Sequence, residues 1–513
     1  MQPIRPGRNQ ADIRYRLNGE GLRHRCFYYF HKARGEKMSN PLIDEAEALK
    51  VAAELQLKYS RSAQSNWITE YQNRTENELA SRFINENERK LRYCVEWQKW
   101  LVWTGKRWQM DMGEVVLMAR GFSNRLWESL GGCHGLEKEE YGVIRTFCKS
   151  YNRDAGIHAY LNLARVDERI SVRVSQLNQW GHLLNLQNGS FNLTSGEVEP
   201  HDQEYLLTQI ANVEFRESAT CDRWTSAIEL IFGGDAELIR YVRQLLGYSL
   251  SADTGEHILP IAFGSGCNGK SFVWNVVLSL MGEFAGLAND SLLMGMKDNH
   301  PTEKAFLYQK RFVPISEPEQ SSRLRESRVK ELTGDGTITA RRMHEDFWSF
   351  QRTHTFWLST NHLPRITGND DGIWRRVKLI PFLVDLRKVI TIIPDLDKIL
   401  VETEGPGILN WLLAGWIDYR RHGFIEPECV KAATGDYRNQ EDELAMFIAD
   451  NCTLEKDDVS VFSEIYGRYS GWGGKHSKVV FGKEMKSRFD WDAPTSGPYK
   501  SKTVFFGIGL ENK

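Results

Sequence analysis

Apolar positions along this chain follow two periods, and the places where the period changes mark the elements. His257-Ile-Leu-Pro-Ile-Ala-Phe263 is a short, continuous apolar run of the kind that makes a strand buried on both faces. Phe272-Val-Trp-Asn-Val-Val-Leu-Ser-Leu-Met281 comes after it as a helix. Residues 222–253 carry Trp224, Ile228, Ile231, Leu238, Tyr241, Leu245 and Leu246 at helical spacing, and Ile43 to Tyr59 reads as an amphipathic helix after the break at Asn40-Pro41. Trp100 to Trp108 reads as a hairpin turned at Thr-Gly-Lys, and Leu183 to Leu193 as another turned at Asn188-Gly189. Arg311-Phe-Val-Pro-Ile-Ser-Glu317 is an apolar strand ending in a carboxylate; Thr355-Phe-Trp-Leu-Ser-Thr-Asn361 is one ending in an amide. Between them Thr337 to His344 alternates like a strand, Glu345-Asp346-Phe347 turns the chain, and Trp348 to His354 returns as the second arm of a hairpin. The pattern predicts an α/β chain with a mixed α+β N-terminal part.

The junction of the buried strand and its helix carries the chemistry. Gly264-Ser265-Gly266-Cys267-Asn268-Gly269-Lys270-Ser271 fits G-x-x-x-x-G-K-[ST]. Glycines let backbone N–H groups approach phosphate oxygens, Lys270 neutralises the β/γ charge, and the Ser271 hydroxyl can hold Mg²⁺. A glycine-rich structural turn is the competing reading; the flanking strand and helix favour a nucleotide site. Glu317, at a strand end, suits polarising an attacking water and supporting the metal, against a solvated edge residue. Asn361 can hydrogen-bond a γ-phosphate or the lytic water. Arg375 and Arg376 open another strand, where a guanidinium can reach a neighbouring subunit's nucleotide as an arginine finger. Lys330 precedes the 337–354 hairpin, whose arms and tip carry Arg341, Arg342, His344 and Trp348. That set suits phosphate contact and base stacking, against an ordinary charged surface hairpin.

Composition narrows the classes. At 513 residues the chain should form three or four domains at roughly 100–200 residues each. A net charge of −2 means that any nucleic-acid surface arises from local clusters, not from a global basic field. One such cluster lies in the first 40 residues, where Arg5, Arg8, Arg14, Arg16, Arg23 and Arg25 mix with Tyr15, Phe27, Tyr28, Tyr29 and Phe30. It reads equally as a phosphate-tracking surface and as a small β-rich element with an aromatic core. The 8 cysteines are scattered without a C-x-x-C pair, which suits a reducing compartment. Cys133, His134 and Cys148 lack a fourth ligand and read as packing, so no metal module is expected. No apolar run approaches ~18 residues and no secretory leader is legible, so a soluble, cytoplasmic protein with no membrane partner is expected.

The order of these segments resembles superfamily 3 helicases, specifically the phage/plasmid and poxvirus-type primase-helicase C-terminal family, over roughly 90–513. Leu183 to Gly189, Leu193-Thr-Ser-Gly-Glu197, Pro200-His-Asp202, Tyr205-Leu-Leu207 and Gly247-Tyr-Ser-Leu250 look like the family's helicase-associated domain and its junction with the ATPase core. The loop with Asn268 before Gly-Lys-Ser, the Ser-Glu-Pro strand end, the Lys330 to Arg341 segment, Ser359-Thr-Asn361 and Trp374-Arg-Arg376 come in family order.

A basic region of unknown role over 1–90 precedes the resembling stretch, for which the resemblance implies a helicase-associated domain over 91–205 and a helical collar over 206–255. An AAA+-like core over 256–385, a helical segment over 386–438 and a winged helix over 439–513 complete the chain. It implies a ring, expected as a hexamer, that binds ATP and Mg²⁺ between subunits. The hairpin would draw one DNA strand 3′ to 5′. Carried over by position, Lys270 and Ser271 serve phosphate and metal, Glu317 is the acidic strand end and Asn361 the sensor. Arg376 is the trans-acting finger, with Arg375 as the fallback. The winged helix would add duplex or fork contacts through Lys475, Lys478, Lys483, Lys486, Arg488, Lys500 and Lys502.

Two departures stand out. Ser316 precedes Glu317 where related motors often have a carboxylate pair, and the turn at 333–336 reads Thr-Gly-Asp-Gly where the family commonly has Thr-Gly-Gly-Asp. The missing carboxylate keeps open an ATP-switched DNA-binding initiator or scaffold with little unwinding. A primase-polymerase would need an upstream catalytic domain, so a separate primase is expected as a partner.

Overall fold

The computed structural model describes residues 67–133, 135–295, 301–318, 322–334, 336–342, 346–366, 371–389, 391 and 393–511. The basic N-terminal stretch, the helix expected over Ile43 to Tyr59, His134, Asp335 and His344 lie outside the described residues.

The chain begins with α1 (Glu76–Asn87), β1 (Leu91–Cys94), β2 (Lys99–Trp103), β3 (Trp108–Met110), α2 (Met112–Glu128), α3 (Lys138–Tyr151), α4 (Asp154–Ala164) and β4 (Ser171–Val172). It divides into two compact units. The described part of the smaller is 67–75 with 125–150, the end of α2 and nearly all of α3. Cys148 and Ile144 are among its buried side chains, and burial pushes the Cys148 thiol up to about 12. Arg74 pairs with Glu140 at 3.5 Å.

The larger unit holds everything else. In it Phe83 of α1 and Tyr160 of α4 pack at 5.7 Å, and β1 to β4 form a sheet in the order β3-β2-β1-β4. β5 (Leu183–Leu186), β6 (Gly189–Asn192) and β7 (Val198–Glu199) form a second sheet. Leu186 lies opposite Gly189, so the turn is Gln187-Asn188, one residue earlier than the sequence predicts. Asn188 is spent on Phe215, donating from Nδ2 to its carbonyl and accepting its N–H. Gly189 must stay in the strand, because a Cβ there would lie 2.6 Å from the Glu199 carbonyl.

α5 (Asp222–Ile231) and α6 (Ala236–Tyr248) lead into β8 (Leu259–Phe263) and α7 (Lys270–Met281). Then come α8 (Pro301–Ala305), β9 (Phe312–Ile315), α9 (Glu326–Gly334), β10 (Thr337–Ala340), β11 (Trp348–Gln351), β12 (Thr355–Thr360), α10 (Asp371–Trp374) and β13 (Val377–Pro381). β13-β8-β12-β9 is an all-parallel sheet. Its strands are mostly apolar because both faces are covered. Ala262, Phe312, Trp357 and Ile380 face one core, while Ile261, Val313, Leu358 and Leu379 face the other. α11 (Leu396–His422) packs on α6 over the first face, and α12 (Glu428–Glu441) lies along β13.

The C-terminal part runs α13 (Glu443–Asn451), β14 (Cys452–Thr453), β15 (Val459–Val461), α14 (Phe462–Trp472), α15 (Lys478–Arg488), β16 (Trp491–Asp492), β17 (Val504–Phe506) and β18 (Gly509–Leu510). Its own core centres on Phe447, Ile465, Tyr469, Phe481 and Phe505.

Candidate active site

Parallel strands place their C-terminal ends on one edge of the sheet, so the residues just after β8, β9 and β12 meet there. β8 runs into the glycine-rich loop, β9 into Ser316 and Glu317, and β12 into Asn361. Two of the loop's glycines are required by contact. A Cβ on Gly264 would lie 2.1 Å from the Phe382 carbonyl, and one on Gly269 would lie 2.5 Å from Ile231. Gly269 also takes φ +88, a conformation that side chains disfavour. The loop is closed from outside by the chain after β13. Asn268 Nδ2 donates to the Phe382 carbonyl at 3.1 Å, and the Leu386 N–H donates to the Cys267 carbonyl at 3.0 Å. Ser265, Gly266, Cys267 and Ser271 stay exposed at the rim.

Lys270 is the first residue of α7 and is 6 % exposed. Its ammonium donates to the Gly264 carbonyl at 2.6 Å and to Asn361 Oδ1 at 3.0 Å. Among the described residues no carboxylate pairs with it. Burial pulls its pKa below the usual lysine value, and the Glu317 charge opposes that from a distance. Beside it the N-terminus of α7 has no side-chain cap, because Gly269 is the N-cap. The result is a buried cation next to uncapped helix N–H groups, which is an anion-binding arrangement. Asn361 joins the two halves: its side chain accepts from Lys270, and its N–H donates to Glu317 Oε1 at 3.0 Å.

Ser316 does not take the place of a second carboxylate. Its hydroxyl accepts the Asp290 N–H at 3.0 Å, and its own N–H donates to the Ala288 carbonyl. That extends the sheet by a further parallel segment beyond β9.

The two arginines part company. Arg376 is buried, donating from Nε to Thr333 Oγ1 at 3.1 Å and from Nη1 to the Gly372 carbonyl. Its guanidinium is held by partners within the same chain. Arg375, one residue earlier, is exposed.

β10 and β11 form the expected hairpin, with Ala340 opposite Trp348, but not all of its candidate residues face outward. Trp348 is 5 % exposed, and its ring packs edge-on against Trp97 and Tyr308, so base stacking on it is ruled out by burial. The alternation of β11 explains this: Trp348 and Phe350 point into the core. Arg342 lies over Trp97 and Trp348 at 4.8 and 5.4 Å. The aromatic at the surface is Phe347, 59 % exposed, with the Arg341 guanidinium 5.1 Å from its ring centre. Lys330 is half-buried on α9.

Sequence reasoning missed Phe347, and it missed the Phe382 to Leu386 segment that closes the loop. Phe347 read as part of a turn, and the closing segment is brought to the loop only by the pairing of β13 with β8.

Two family models match the chain: D5 N terminal like over 80–233, and Family of unknown function (DUF5906) over 262–376. A candidate helicase of Acanthamoeba polyphaga mimivirus is 28% identical over 295 residues, covering 53% of this chain and 31% of that protein. A candidate primase of African swine fever virus is 27% identical over 208 residues, covering 38% of this chain and 21% of that protein. The chain therefore spans less than a third of the length of either viral relative. Among solved structures, the apo NrS-1 C-terminal region (305-718) superposes with a TM-score of 0.48 at 11% identity, covering 85% of this chain and 99% of that one. Each family model matches less than a third of the chain, and these models and viral proteins are what the chain is similar to.

Proposed function

We propose that the chain is an ATP-dependent DNA helicase of replication, with the loop 264–271 as its phosphate cradle. The observation that carries this is Lys270: a buried ammonium whose hydrogen-bond partners among the described residues are neutral, beside an uncapped helix N-terminus. A buried charge is costly without an opposite one, and a triphosphate supplies it. Ser271 and Glu317 fit a Mg²⁺ ion arriving with the nucleotide, since both stand exposed at the sheet edge. The ion would neutralise charge on the phosphates. Asn361, linked to both Lys270 and Glu317, orients the lytic water, and Glu317 polarises it; catalysis is positioning and charge neutralisation.

The trans-acting finger is assigned to Arg375, because Arg376 is committed inside its own subunit. That makes the active unit a homo-oligomer, a ring with AAA+-like cores. Phe347 and Arg341 contact the translocating strand, and a winged-helix-like C-terminal module holds duplex or fork DNA. Phage, prophage or another mobile element in a bacterial cytoplasm is the setting proposed, with 3′ to 5′ movement and a separate primase.

ATP turnover by the full chain with forked DNA tests this. Lys270→Ala lowers turnover at least about a hundredfold, and Arg375→Ala lowers it about a thousandfold without abolishing ATP binding. Mixing the two variants restores part of the activity at shared interfaces. Full activity in either variant, or no rescue on mixing, contradicts the assignment of that residue. The second reading, an ATP-switched initiator or scaffold, is favoured by Ser316, whose hydroxyl is already engaged by Asp290. It predicts ATP-dependent assembly on DNA with negligible strand displacement.

A further inference from the structure

We infer that the last turn of α12 is a strut that couples ATP turnover to DNA held by the C-terminal module, with Tyr437 and Glu441 as positioning residues. This rests on the helicase reading above and adds to it a route between the two sites.

Four contacts gather on that turn. The Tyr437 hydroxyl donates to the Pro364 carbonyl, and Glu441 Oε2 accepts the Ile366 N–H at 2.9 Å. Both grip the short segment that leaves Asn361. The same segment is stitched to the chain downstream of Glu317, with the Leu324 N–H donating to the Arg365 carbonyl and the Arg365 N–H to the Ser322 carbonyl, each at 2.9 Å. The Tyr437 ring also packs edge-on against Trp374 at 5.2 Å, and Arg438 pairs with Asp371 at 2.7 Å. These two contacts fix α10, the helix that immediately precedes Arg375. One helical turn therefore touches the lead from the sensor amide, through it the acidic strand end, and the lead to the proposed finger.

The other end of the strut is equally defined. Asp442 closes α12 and caps α13 by accepting the Ala445 N–H at 2.9 Å. It also takes Arg488, at the end of α15, through both carboxylate oxygens at 2.8 and 2.9 Å. Glu443, next along, accepts from the Tyr469 hydroxyl and the Lys475 N–H. α12 runs into α13 with one residue between them. A displacement of α15 by DNA is carried by Asp442 to the 437–441 turn, and from there to Asn361 and Arg375. Arg488 is thus part of this joint and is not counted among the DNA contacts.

The test measures ATP hydrolysis by the full chain with and without forked DNA, in Tyr437→Phe, Glu441→Leu and Glu441→Gln. Tyr437→Phe and Glu441→Leu should lower the stimulation by DNA at least about fivefold, the low end of ordinary coupling between linked sites. Their KM for ATP without DNA should stay within about twofold of the parent. Glu441→Gln should retain the stimulation, because an amide oxygen still accepts the Ile366 N–H. Three results overturn the inference: undiminished stimulation in both disruptive variants, loss of stimulation in Glu441→Gln, or loss of basal turnover in step with melting temperature. A parent chain that hydrolyses no ATP instead removes the helicase reading, and this inference with it.

Discussion

Lys270 and Arg311 are both cations shut away from water with no carboxylate partner among the described residues, yet their surroundings differ in what they leave undone. Arg311 donates to the Leu250 and Leu183 carbonyls at 2.7 and 2.6 Å and stacks 4.5 Å from the Phe284 ring, and burial pulls it down to about 9. It is a tie between chain segments far apart in sequence. Lys270 has two neutral acceptors and an open helix end beside it, so an anion completes it. The motif made Lys270 legible in the sequence. Arg311 was not legible, because Leu183 and Leu250 reach it only through the fold. His354 is another buried titratable group, pushed down from 6.5 to about 3 first by burial and then by the Arg352 charge. It is neutral in the folded chain near neutral pH, whereas the unfolded chain protonates it as pH falls below about 6.5. Its contribution to stability is complete above about pH 6.5 and is lost as pH falls toward 3. Replacing it with leucine should flatten the fall of melting temperature between these limits, by up to about 1.4 kcal/mol per pH unit. An unchanged pH slope in His354→Leu would rule out this role for the imidazole.

The β10–β11 hairpin shows what an element's pattern conveys and what it hides. Its existence and its alternation were readable. Which face turned inward was set by Trp97 and Tyr308, neither of which neighbours it in sequence. Trp348→Ala is therefore a core deletion, expected to cost about 3–5 kcal/mol. Phe347→Ala should leave the melting temperature nearly unchanged while weakening single-stranded DNA binding by roughly 1–3 kcal/mol. Equal melting losses in the two variants would refute the assignment. The α6–α11 contact is a second case. A Cβ on Gly415 would lie 2.0 Å from the Arg243 carbonyl, and one on Gly247 would lie 2.2 Å from the Trp416 nitrogen. Helical spacing covered Gly247 and the expected helical segment over 386–438 covered Gly415, but only the crossing shows that the backbones touch there. Gly415→Ala should destabilise by about 1–3 kcal/mol. Gly467→Ala, on α14 with nothing within 4 Å, should stabilise by about 0.5–1 kcal/mol. Thermal melts of the pair check the contrast.

At the scale of the whole molecule, the order of segments carried more than any single one. The loop at 264–271, Glu317, Asn361 and the arginine pair are spread over more than a hundred residues, and the parallel sheet brings the first three to one edge. That convergence was foreseeable, since strands in βα order align their C-terminal ends. The choice between Arg375 and Arg376 was not, because adjacent residues diverge only once Thr333 and Gly372 claim one of them. Every functional assignment above depends on the Lys270 cradle taking the phosphates of ATP. Calorimetric titration of Mg²⁺-ATP into the full chain, beside the same titration of Lys270→Ala, decides it. Saturable binding by the parent chain is expected, with an affinity at least about a hundredfold lower in the variant. No binding to the parent, or equal affinity in the two, would contradict it.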